Sequence, residues 1–377
     1  MSKRPKPSRN TKKKMRNKDA DSLYIHIPFC TKLCGYCDFP KLLGSEKWGE
    51  AYITALFLEI DSYNIGKMST VYIGGGTPTS LNDDLFEKLI RKSKEHLKDG
   101  GEFTIEANPD SLSEKKIRIM AEYSVNRVSL GVQSSHEYRL REMGRSHSFE
   151  EARNAVELLR KNGIFNINID LIYGLKGETL EELKEDLSAF IELDTPHIST
   201  YCLSVSPGTL FYNKKYNEPG EEESADQYEL ILSTLRGVGY RRYEVSNFAK
   251  DGCFSKHNLT YWKDNRYYGV GLGASGYLKD TRYDNTRNLD KYLRGQYIEK
   301  KEEIDPKSEY EYYLLTNLRL EEGIDLEEFE KEFSYTLLNK KEIKEMIESN
   351  LLKIENNRLS ATDKGMMILD RILLNLF

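Results

Sequence analysis

The sequence predicts an α/β fold in which parallel strands are covered by helices, followed by a smaller and mostly helical domain. Short apolar segments alternate with segments of helical period from Ser22 onward, and the connections between them are short. A length of 377 residues also favours two domains over one. Periodicity alone leaves open whether the strands close into an eight-stranded barrel or form an open, partial one.

The first part of the chain contains six predicted strands separated by helices. The strands are predicted at residues 23–26, 70–73, 102–107, 127–130, 166–172 and 197–203. The segment around Leu85 and Leu89 has the period of an amphipathic helix. Two further helices open with capping boxes, at Ser148 with Glu151 and at Thr179 with Glu182. Six strand–helix repeats of this kind predict a parallel sheet.

The remainder of the chain is predicted to be an extension, a linker and a compact module. Residues 285–303 read as a helical linker, and residues 310–320, 326–333, 340–348 and 362–376 read as helices. Residues 351–354 and 358–360 predict a small hairpin, so the module resembles a winged helix. We divide the chain into a disordered basic tail (1–21), a barrel (22–245), an extension with linker (246–304) and a winged-helix-like domain (305–377).

The charge of the chain is distributed unevenly. Residues 1–18 carry nine Lys or Arg and no acid, so the net charge of −5 leaves −14 on the rest. Such a tail could bind a nucleic acid or an anionic membrane face, or it could be a disordered solubilising arm. The acidic charge of the remaining residues disfavours nucleic acid as the main partner. No signal peptide or membrane-spanning apolar run is present, which predicts a cytoplasmic protein.

Three cysteines form a C-x3-C-x2-C motif directly after the first predicted strand. Cys30, Cys34 and Cys37 would let one tight loop direct three thiolates to a single point. This suits a 4Fe–4S cluster that leaves one iron open. A structural zinc site would require a second pair of ligands, and three neighbouring cysteines cannot pair evenly as disulfides. The motif therefore favours an iron–sulfur cluster.

Several polar or glycine-rich segments follow the carboxyl ends of successive predicted strands. These are the run from Gly74 to Thr79, Glu106 with Asn108, Gln133, and Asp170. In parallel barrels the functional groups gather at this end of the strands. The glycine run lacks the Gly-Lys-Ser/Thr of a phosphate loop, and an ordinary tight turn is its alternative reading. Taken singly, each polar residue also suits a solvated strand end.

These motifs together resemble those of a known family. C-x3-C-x2-C resembles the signature of the radical S-adenosylmethionine (SAM) superfamily. The strings I-E-A-N-P-D, S-L-G-V-Q-S, M-G-R-S-H and N-I-D-L-I-Y-G resemble the branch of oxygen-independent coproporphyrinogen III oxidases and the related HemW haem chaperones. The resemblance runs from Ser22 to the C-terminus and implies a partial (β/α)6 radical-SAM barrel, a 4Fe–4S cluster on Cys30, Cys34 and Cys37, and SAM. The residues that it implies for SAM are Tyr24, Gly75, Gly76, Thr77, Glu106, Gln133, Arg145 and Asp170.

Two positions favour the haem chaperones over the oxidases. The oxidases typically carry a fourth cysteine two residues after the third, and here that position is Phe39. The string H-N-x-x-Y-W, which begins at His257, resembles the chaperone signature associated with haem. A packed, hydrogen-bonded histidine is the alternative reading of His257. The oxidases also have an N-terminal segment that we do not find ahead of Ser22.

The resemblance implies a 4Fe–4S protein that binds haem as cargo and delivers it to acceptor proteins. Candidate partners are membrane-associated respiratory enzymes as acceptors, an electron donor and a second copy of the chain. The alternative is an oxygen-independent oxidase that converts coproporphyrinogen III to protoporphyrinogen IX. A winged-helix nucleic-acid binder is disfavoured by the acidic C-terminal module. We reject a dinucleotide site at Gly271-x-Gly273-x-x-Gly276, because no strand–helix unit surrounds it.

Overall fold

Six parallel strands form the centre of the molecule in a computed structural model that describes residues 19–376. Of the predicted tail, residues 1–21, the first 18 lie outside the described residues. All six predicted strands are confirmed, with ends that differ by a few residues. They are β1 (Ser22–Ile27), β2 (Met68–Gly75), β3 (Leu97–Ala107), β4 (Arg127–Gln133), β5 (Asn166–Tyr173) and β6 (His197–Cys202).

Helices connect these strands and cover their outer face. Both predicted capping boxes are present, because the Ser148 and Thr179 side chains each accept a hydrogen bond from the backbone three residues on. The helices are α1 (Gly49–Ser62), α2 (Asp83–Lys94), α3 (Glu114–Glu122), α4 (Glu137–Met143), α5 (Phe149–Lys161), α6 (Leu180–Glu192), α7 (Leu210–Asn213) and α8 (Glu221–Gly237).

The sheet is an open, partial barrel. Three short strands extend its edges: β7 (Arg241–Arg242), β8 (Asn247–Ala249) and β9 (Tyr268–Val270). The strand order is β9-β1-β2-β3-β4-β5-β6-β8-β7, with β8 and β7 antiparallel to their neighbours. Among the described residues no pairing joins β9 to β7, so the sheet does not close. The fold class implied by the resemblance is therefore confirmed.

The two faces of the strands differ in chemistry. Along β4, Val128, Leu130 and Val132 belong to the hydrophobic core under the helices. The alternate residues Arg127 and Ser129 line a cavity inside the barrel. Since side chains alternate across a strand, this pattern places the apolar residues outside and the polar residues inside. The inner space is thus a polar chamber and not a packed apolar core.

A second sheet follows the barrel and corrects one prediction. It contains β10 (Ser275–Leu278), β11 (Thr281–Asn285) and β12 (Ile298–Glu303). The chain also forms α9 (Lys256–Trp262) and α10 (Leu289–Leu293) here. The predicted helical linker at residues 285–303 is wrong, because its second half pairs with β11 as an exposed edge strand. Of the glycines in the rejected dinucleotide motif, Gly271 and Gly273 lie in the turn between β9 and β10 and Gly276 lies in β10, so no helix follows them.

The C-terminal domain has a core of its own, built around Leu314 and Phe329. Its helices are α11 (Pro306–Asn317), α12 (Leu326–Phe333), α13 (Lys341–Glu348), α14 (Asp363–Met367) and α15 (Leu369–Leu374). Its sheet contains β13 (Ile324–Asp325), β14 (Leu352–Glu355) and β15 (Arg358–Ala361). The predicted hairpin is confirmed, and the predicted last helix is broken at Ile368.

Ion pairs join this domain to the barrel. The buried Arg242 guanidinium bridges Glu321 and Asp363, at 2.5 and 2.8 Å. Within residues 19–376, no helix has the length and apolar character needed to cross a membrane.

Candidate functional site

The loop that carries the three cysteines follows β1. It begins with a two-residue strand, Phe29–Cys30, that pairs in parallel with Leu42–Leu43. The Phe211 backbone N–H donates a 2.9 Å hydrogen bond to the Gly35 carbonyl. A Cβ atom on Gly35 would lie only 2.5 Å from the Phe211 ring, so glycine is required where the loop packs against this residue.

All three cysteines line one cavity of about 430 Å³. Their side chains do not converge on one point as the spacing suggested. Among residues 19–376, no three His, Cys, Asp or Glu side chains are placed to hold a single metal ion. A cubic cluster does not require such convergence, because each cysteine binds a different iron. Three reduced thiols around one cavity therefore fit a cluster and do not fit a zinc ion.

The chemical state of the thiols also bears on cluster binding. Burial raises the pKa of Cys30 to about 11 and also raises the pKa of Cys37. The Thr77 hydroxyl contacts the Cys30 sulfur at 3.8 Å and partly opposes this shift. Without iron these two thiols are protonated at neutral pH, so cluster insertion must release protons.

The glycine run after β2 packs closely against both the cysteine loop and Glu106. A Cβ atom on Gly76 would lie 2.9 Å from the Cys30 sulfur, and one on Gly74 would lie 2.6 Å from Glu106 Oε1. The Gly75 N–H donates a 2.9 Å hydrogen bond to Glu106 Oε2. The absence of side chains here brings the backbone beside the cavity. Burial raises the pKa of Glu106 to about 7.

Three other predicted residues line the same cavity: Gln133, Arg145 and Asp170. Arg145 donates hydrogen bonds to the Gly131 carbonyl at 2.7 Å and to the Cys34 sulfur at 3.5 Å. Its Nε atom is buried without a partner among the described residues. Asp170 accepts a 2.7 Å hydrogen bond from Asn168, and burial raises its pKa. This wall offers both a cation and hydrogen-bond acceptors to a ligand.

The loop after β4 is fixed by a buried carboxylate. Gln133 has a φ of 75°, a left-handed conformation that is uncommon for residues other than glycine. Asp186, on α6, accepts hydrogen bonds from the Ser134 hydroxyl at 2.9 Å and from the Ser135 hydroxyl at 2.6 Å. The Ser135 backbone N–H also donates to Asp186. The carboxylate thus holds the backbone that presents Gln133 to the cavity.

Tyr24 lines a neighbouring cavity, where Glu106 is the one other predicted SAM residue among the described lining residues. This inner cavity of about 470 Å³ shares five lining residues with the cysteine-lined cavity: Phe39, Tyr72, Glu106, Ser129 and Tyr201. The Tyr24 hydroxyl is hydrogen-bonded to His26 Nδ1 at 2.9 Å. The two cavities therefore form adjoining parts of the barrel chamber, and Tyr24 borders the inner one.

His257 also lines the inner cavity, beneath the amino ends of the strands. It lies on α9, and its backbone N–H donates to Glu102 on β3 at 2.9 Å. Both ring nitrogens have partners: Nδ1 contacts Thr70 Oγ1 at 2.7 Å and Nε2 contacts the Tyr261 hydroxyl at 2.8 Å. The ring stacks on Tyr72 at 5.0 Å. Burial lowers the pKa of His257 to about 3, so the imidazole is neutral.

Sequence reasoning missed two residues of this chamber. Tyr72 borders both cavities and donates a 2.7 Å hydrogen bond to Glu106 Oε1. Arg127 lines the inner cavity at the first position of β4. The alternation of residues along β2 and β4 was the available signal, because both side chains fall on the inward face.

Comparison with known proteins places the chain in a family. The model of the radical SAM superfamily matches residues 24–190, and the model of the HemN C-terminal domain matches residues 304–368. The heme chaperone HemW of Lactococcus lactis subsp. lactis is 42% identical, over 92% of this chain and 94% of that protein. HemW of Bacillus subtilis is 36% identical over 92% and 96%. The chain belongs to the HemW family.

Solved structures agree with this fold. The coproporphyrinogen III oxidase HemN of Escherichia coli, a radical SAM enzyme, superposes with a TM-score of 0.83 at 22% sequence identity. The match covers 95% of this chain and 90% of that one, and it establishes a shared fold. As a member of the HemW family with a radical SAM domain, the protein takes a 4Fe–4S cluster and SAM as cofactors. When bound, this pair supplies one-electron chemistry.

Proposed function

We propose that this protein is a haem chaperone, which binds haem and delivers it to haem-accepting proteins. The observation that carries the proposal is similarity to heme chaperones along nearly the whole chain, at 42% and 36% identity. Phe39 adds support, because it occupies the position of the oxidases' fourth cysteine and is 61% exposed at the cavity rim. We further propose that the protein works in the cytoplasm.

We assign the cluster and SAM to the cysteine-lined cavity. Cys30, Cys34 and Cys37 would hold three irons of the cluster. SAM would lie between the glycine run and the wall formed by Gln133, Arg145 and Asp170. The Arg145 guanidinium suits the SAM carboxylate, since arginine binds carboxylates with two parallel hydrogen bonds. Support comes from the fact that the three cysteines, the three wall residues and Gly75, Gly76 and Thr77 of the glycine run all line the same cavity.

His257 is the proposed haem ligand, and the structure indicates which nitrogen is suited to iron. Thr70 engages Nδ1 at the strand end, whereas Nε2 faces the Tyr261 hydroxyl. Metal-binding histidines commonly use their second nitrogen for an orienting hydrogen bond. Iron binding at Nε2 would therefore retain the Thr70 contact and displace the Tyr261 hydroxyl. The competing reading is that His257 only stabilises α9.

An anaerobic haem titration followed by the Soret band tests both points. We expect saturable binding by the cluster-containing protein, a weakened and spectrally altered complex for His257→Ala, and equal or tighter binding for Tyr261→Phe. His197→Ala is the matched control. His197 is likewise buried with both nitrogens hydrogen-bonded, and it does not line either cavity. Identical spectra for His257→Ala and wild type would remove His257 as the ligand.

A transfer assay tests delivery. Haem-loaded protein is mixed with the haem-free form of an acceptor, and transfer is followed by the acceptor's absorption spectrum. Membrane-associated respiratory enzymes are the acceptors that we would test first. Comparing transfer with and without an electron donor shows whether reduction is needed. Repeating the assay at several protein concentrations shows whether a dimer takes part. Formation of protoporphyrinogen IX from coproporphyrinogen III with SAM and a reductant would instead support the oxidase.

A further inference from the structure

Arg127 is a buried cation at the inner end of the barrel chamber. We propose that its guanidinium binds a carboxylate of the cargo, namely a propionate of haem. This inference rests on the proposed haem-chaperone function, and it assigns a role to a residue that neither the cluster nor SAM requires. It concerns the inner cavity, which adjoins the cysteine-lined cavity and is separate from the proposed SAM residues Gln133, Arg145 and Asp170.

Arg127 differs from the other buried arginines of the described chain in lacking a partner. Arg139 pairs with Glu142 and Glu182, and Arg145 donates to a carbonyl and a sulfur. Arg242 and Arg266 also form ion pairs with carboxylates. Arg127 is 2% exposed, and no residue among 19–376 forms a hydrogen bond or an ion pair with its side chain.

An unpaired buried charge is unfavourable, so its retention requires a compensating group. Removing a guanidinium from water costs several kcal/mol or more unless an anion or several acceptors replace the water. The positive charge of Arg127 acts on the buried carboxylates Glu106 and Asp170, where it opposes the upward shift of their pKa by burial. Neither lies within 4 Å as an ion-pair partner. The missing partner is therefore best supplied by a ligand.

The cavity around Arg127 combines tyrosine rings with polar side chains, which suits a flat ring system that carries an acidic group. Its volume is about 470 Å³, and aromatic rings border it. Those rings belong to Tyr24, Tyr72, Tyr201, Tyr261 and Tyr267. The two histidines at the cavity, His26 and His257, are neutral because burial lowers the pKa of each, to about 4 and about 3. The other cation at the cavity, Arg287, is exposed at the rim.

This combination favours a carboxylate on an aromatic macrocycle over a small free anion. Aromatic side chains offer apolar faces to a ring, and arginine recognises a carboxylate through two parallel N–H donors. Haem has both features, since its macrocycle is apolar and its propionates are anionic. The volume also lies in the range of ligand cavities, which is roughly 300–1,000 Å³.

The experiment compares haem with its dimethyl ester, in which both propionates are uncharged. Dissociation constants are measured by anaerobic Soret titration for wild type, Arg127→Gln, Arg127→Lys and Arg118→Gln. We expect Arg127→Gln to weaken haem binding roughly 10- to 100-fold, the range for losing a charge-assisted hydrogen bond. The ester should bind wild type and Arg127→Gln about equally. Arg127→Lys should recover part of the loss. Arg118→Gln, the matched change at an exposed arginine that lines neither cavity, should have little effect.

The possible outcomes separate this inference from the function on which it rests. Absence of haem binding in wild type would overturn the proposed function and the inference together. Haem binding of equal strength in wild type and Arg127→Gln would overturn the inference alone. Equal weakening of haem and ester would show that Arg127 only maintains the structure. Loss of SAM affinity with unchanged haem affinity would assign the carboxylate to SAM, which also overturns the proposal.

Unfolding of the cargo-free protein gives a second readout. Because Arg127 has no partner in the described structure, Arg127→Gln should leave the thermal midpoint unchanged or raise it. A lowered midpoint would reveal a structural partner and would contradict the inference. The measurement also shows whether the variant is folded before its haem affinity is interpreted.

Discussion

The anchoring of α9 by Glu102 yields a quantitative prediction. Glu102 lies on β3 and is 5% exposed. Its two carboxylate oxygens accept hydrogen bonds from the backbone N–H groups of Lys256 and His257, both at 2.9 Å. The first N–H groups of a helix have no partner within the helix, so a carboxylate from the strand satisfies two of them. We expect the substitution Glu102→Gln to loosen this helix.

The magnitude follows from the two hydrogen bonds. The glutamine carbonyl can still accept one of them, while its amide group faces the second N–H and leaves that donor buried without a partner. Loss of one charge-assisted hydrogen bond costs about 1.5–3 kcal/mol, and the lost charge at a helix N-terminus adds about 0.3–1 kcal/mol. We therefore expect Glu102→Gln to lower the free energy of unfolding by about 2–4 kcal/mol.

Equilibrium unfolding in urea, followed by far-ultraviolet circular dichroism, measures this change. Glu50→Gln is the matched control, because the Glu50 side chain is 76% exposed and pairs with Lys88 at the surface. Exposed pairs of this kind contribute about 0–1 kcal/mol, so the control should change little. If Glu102→Gln and Glu50→Gln have the same unfolding free energy, the carboxylate does not hold α9 and the reasoning is refuted.

Three other predictions concern the glycine run, the loop after β4 and a buried acid. Gly76→Ala should lower the iron content of the purified protein, because the added Cβ atom would lie 2.7 Å from a backbone carbonyl oxygen. Gly237→Ala is the control, since open space surrounds Gly237, and equal iron content in the two variants would contradict the prediction. Asp186→Asn should weaken SAM binding several-fold in equilibrium dialysis by releasing the loop that presents Gln133, and unchanged affinity would refute this role. Burial raises the pKa of Glu178 from 4.5 to about 7, so the folded state holds a proton that the unfolded state loses between these values. The stability that wild type has relative to Glu178→Gln should therefore fall as the pH rises from about 4.5 to about 7, by at most about 3 kcal/mol, and a difference independent of pH would exclude this linkage.

Much of the barrel was predictable because its signals are local. A strand buried under helices reads as an apolar segment, and the capping boxes at Ser148 and Thr179 mark helix starts within four residues. The strand β12 escaped prediction because its sequence, I-E-K-K-E-E, is almost wholly charged. Only its pairing with β11 at an exposed edge makes it a strand.

The site was predictable in composition and less so in arrangement. The carboxyl ends of parallel strands meet at one edge, so the cysteine, glycine and acidic residues were expected together, and they do line one cavity. The hydrogen bonds of His257 to Thr70 and Tyr261 depend on how α9 docks, which sequence spacing does not encode. Likewise, the sequence shows that Arg127 begins a strand, but it does not show that the folded chain provides no ion-pair partner for this residue among residues 19–376.

The alternation of apolar and polar residues along the barrel strands bears on how such a protein can evolve. Outward residues such as Val71, Val128 and Ile198 are fully buried beneath helices and contribute hydrophobic burial to folding. Inward residues such as Tyr72 and Ser129 border the chamber. A combinatorial library that varies the inward positions should therefore remain mostly folded, whereas one that varies the outward positions should not. Along one strand, the outward positions are thus selected for stability and the inward positions for ligand binding. Substitutions at the inward positions can therefore change the ligand while the fold is retained.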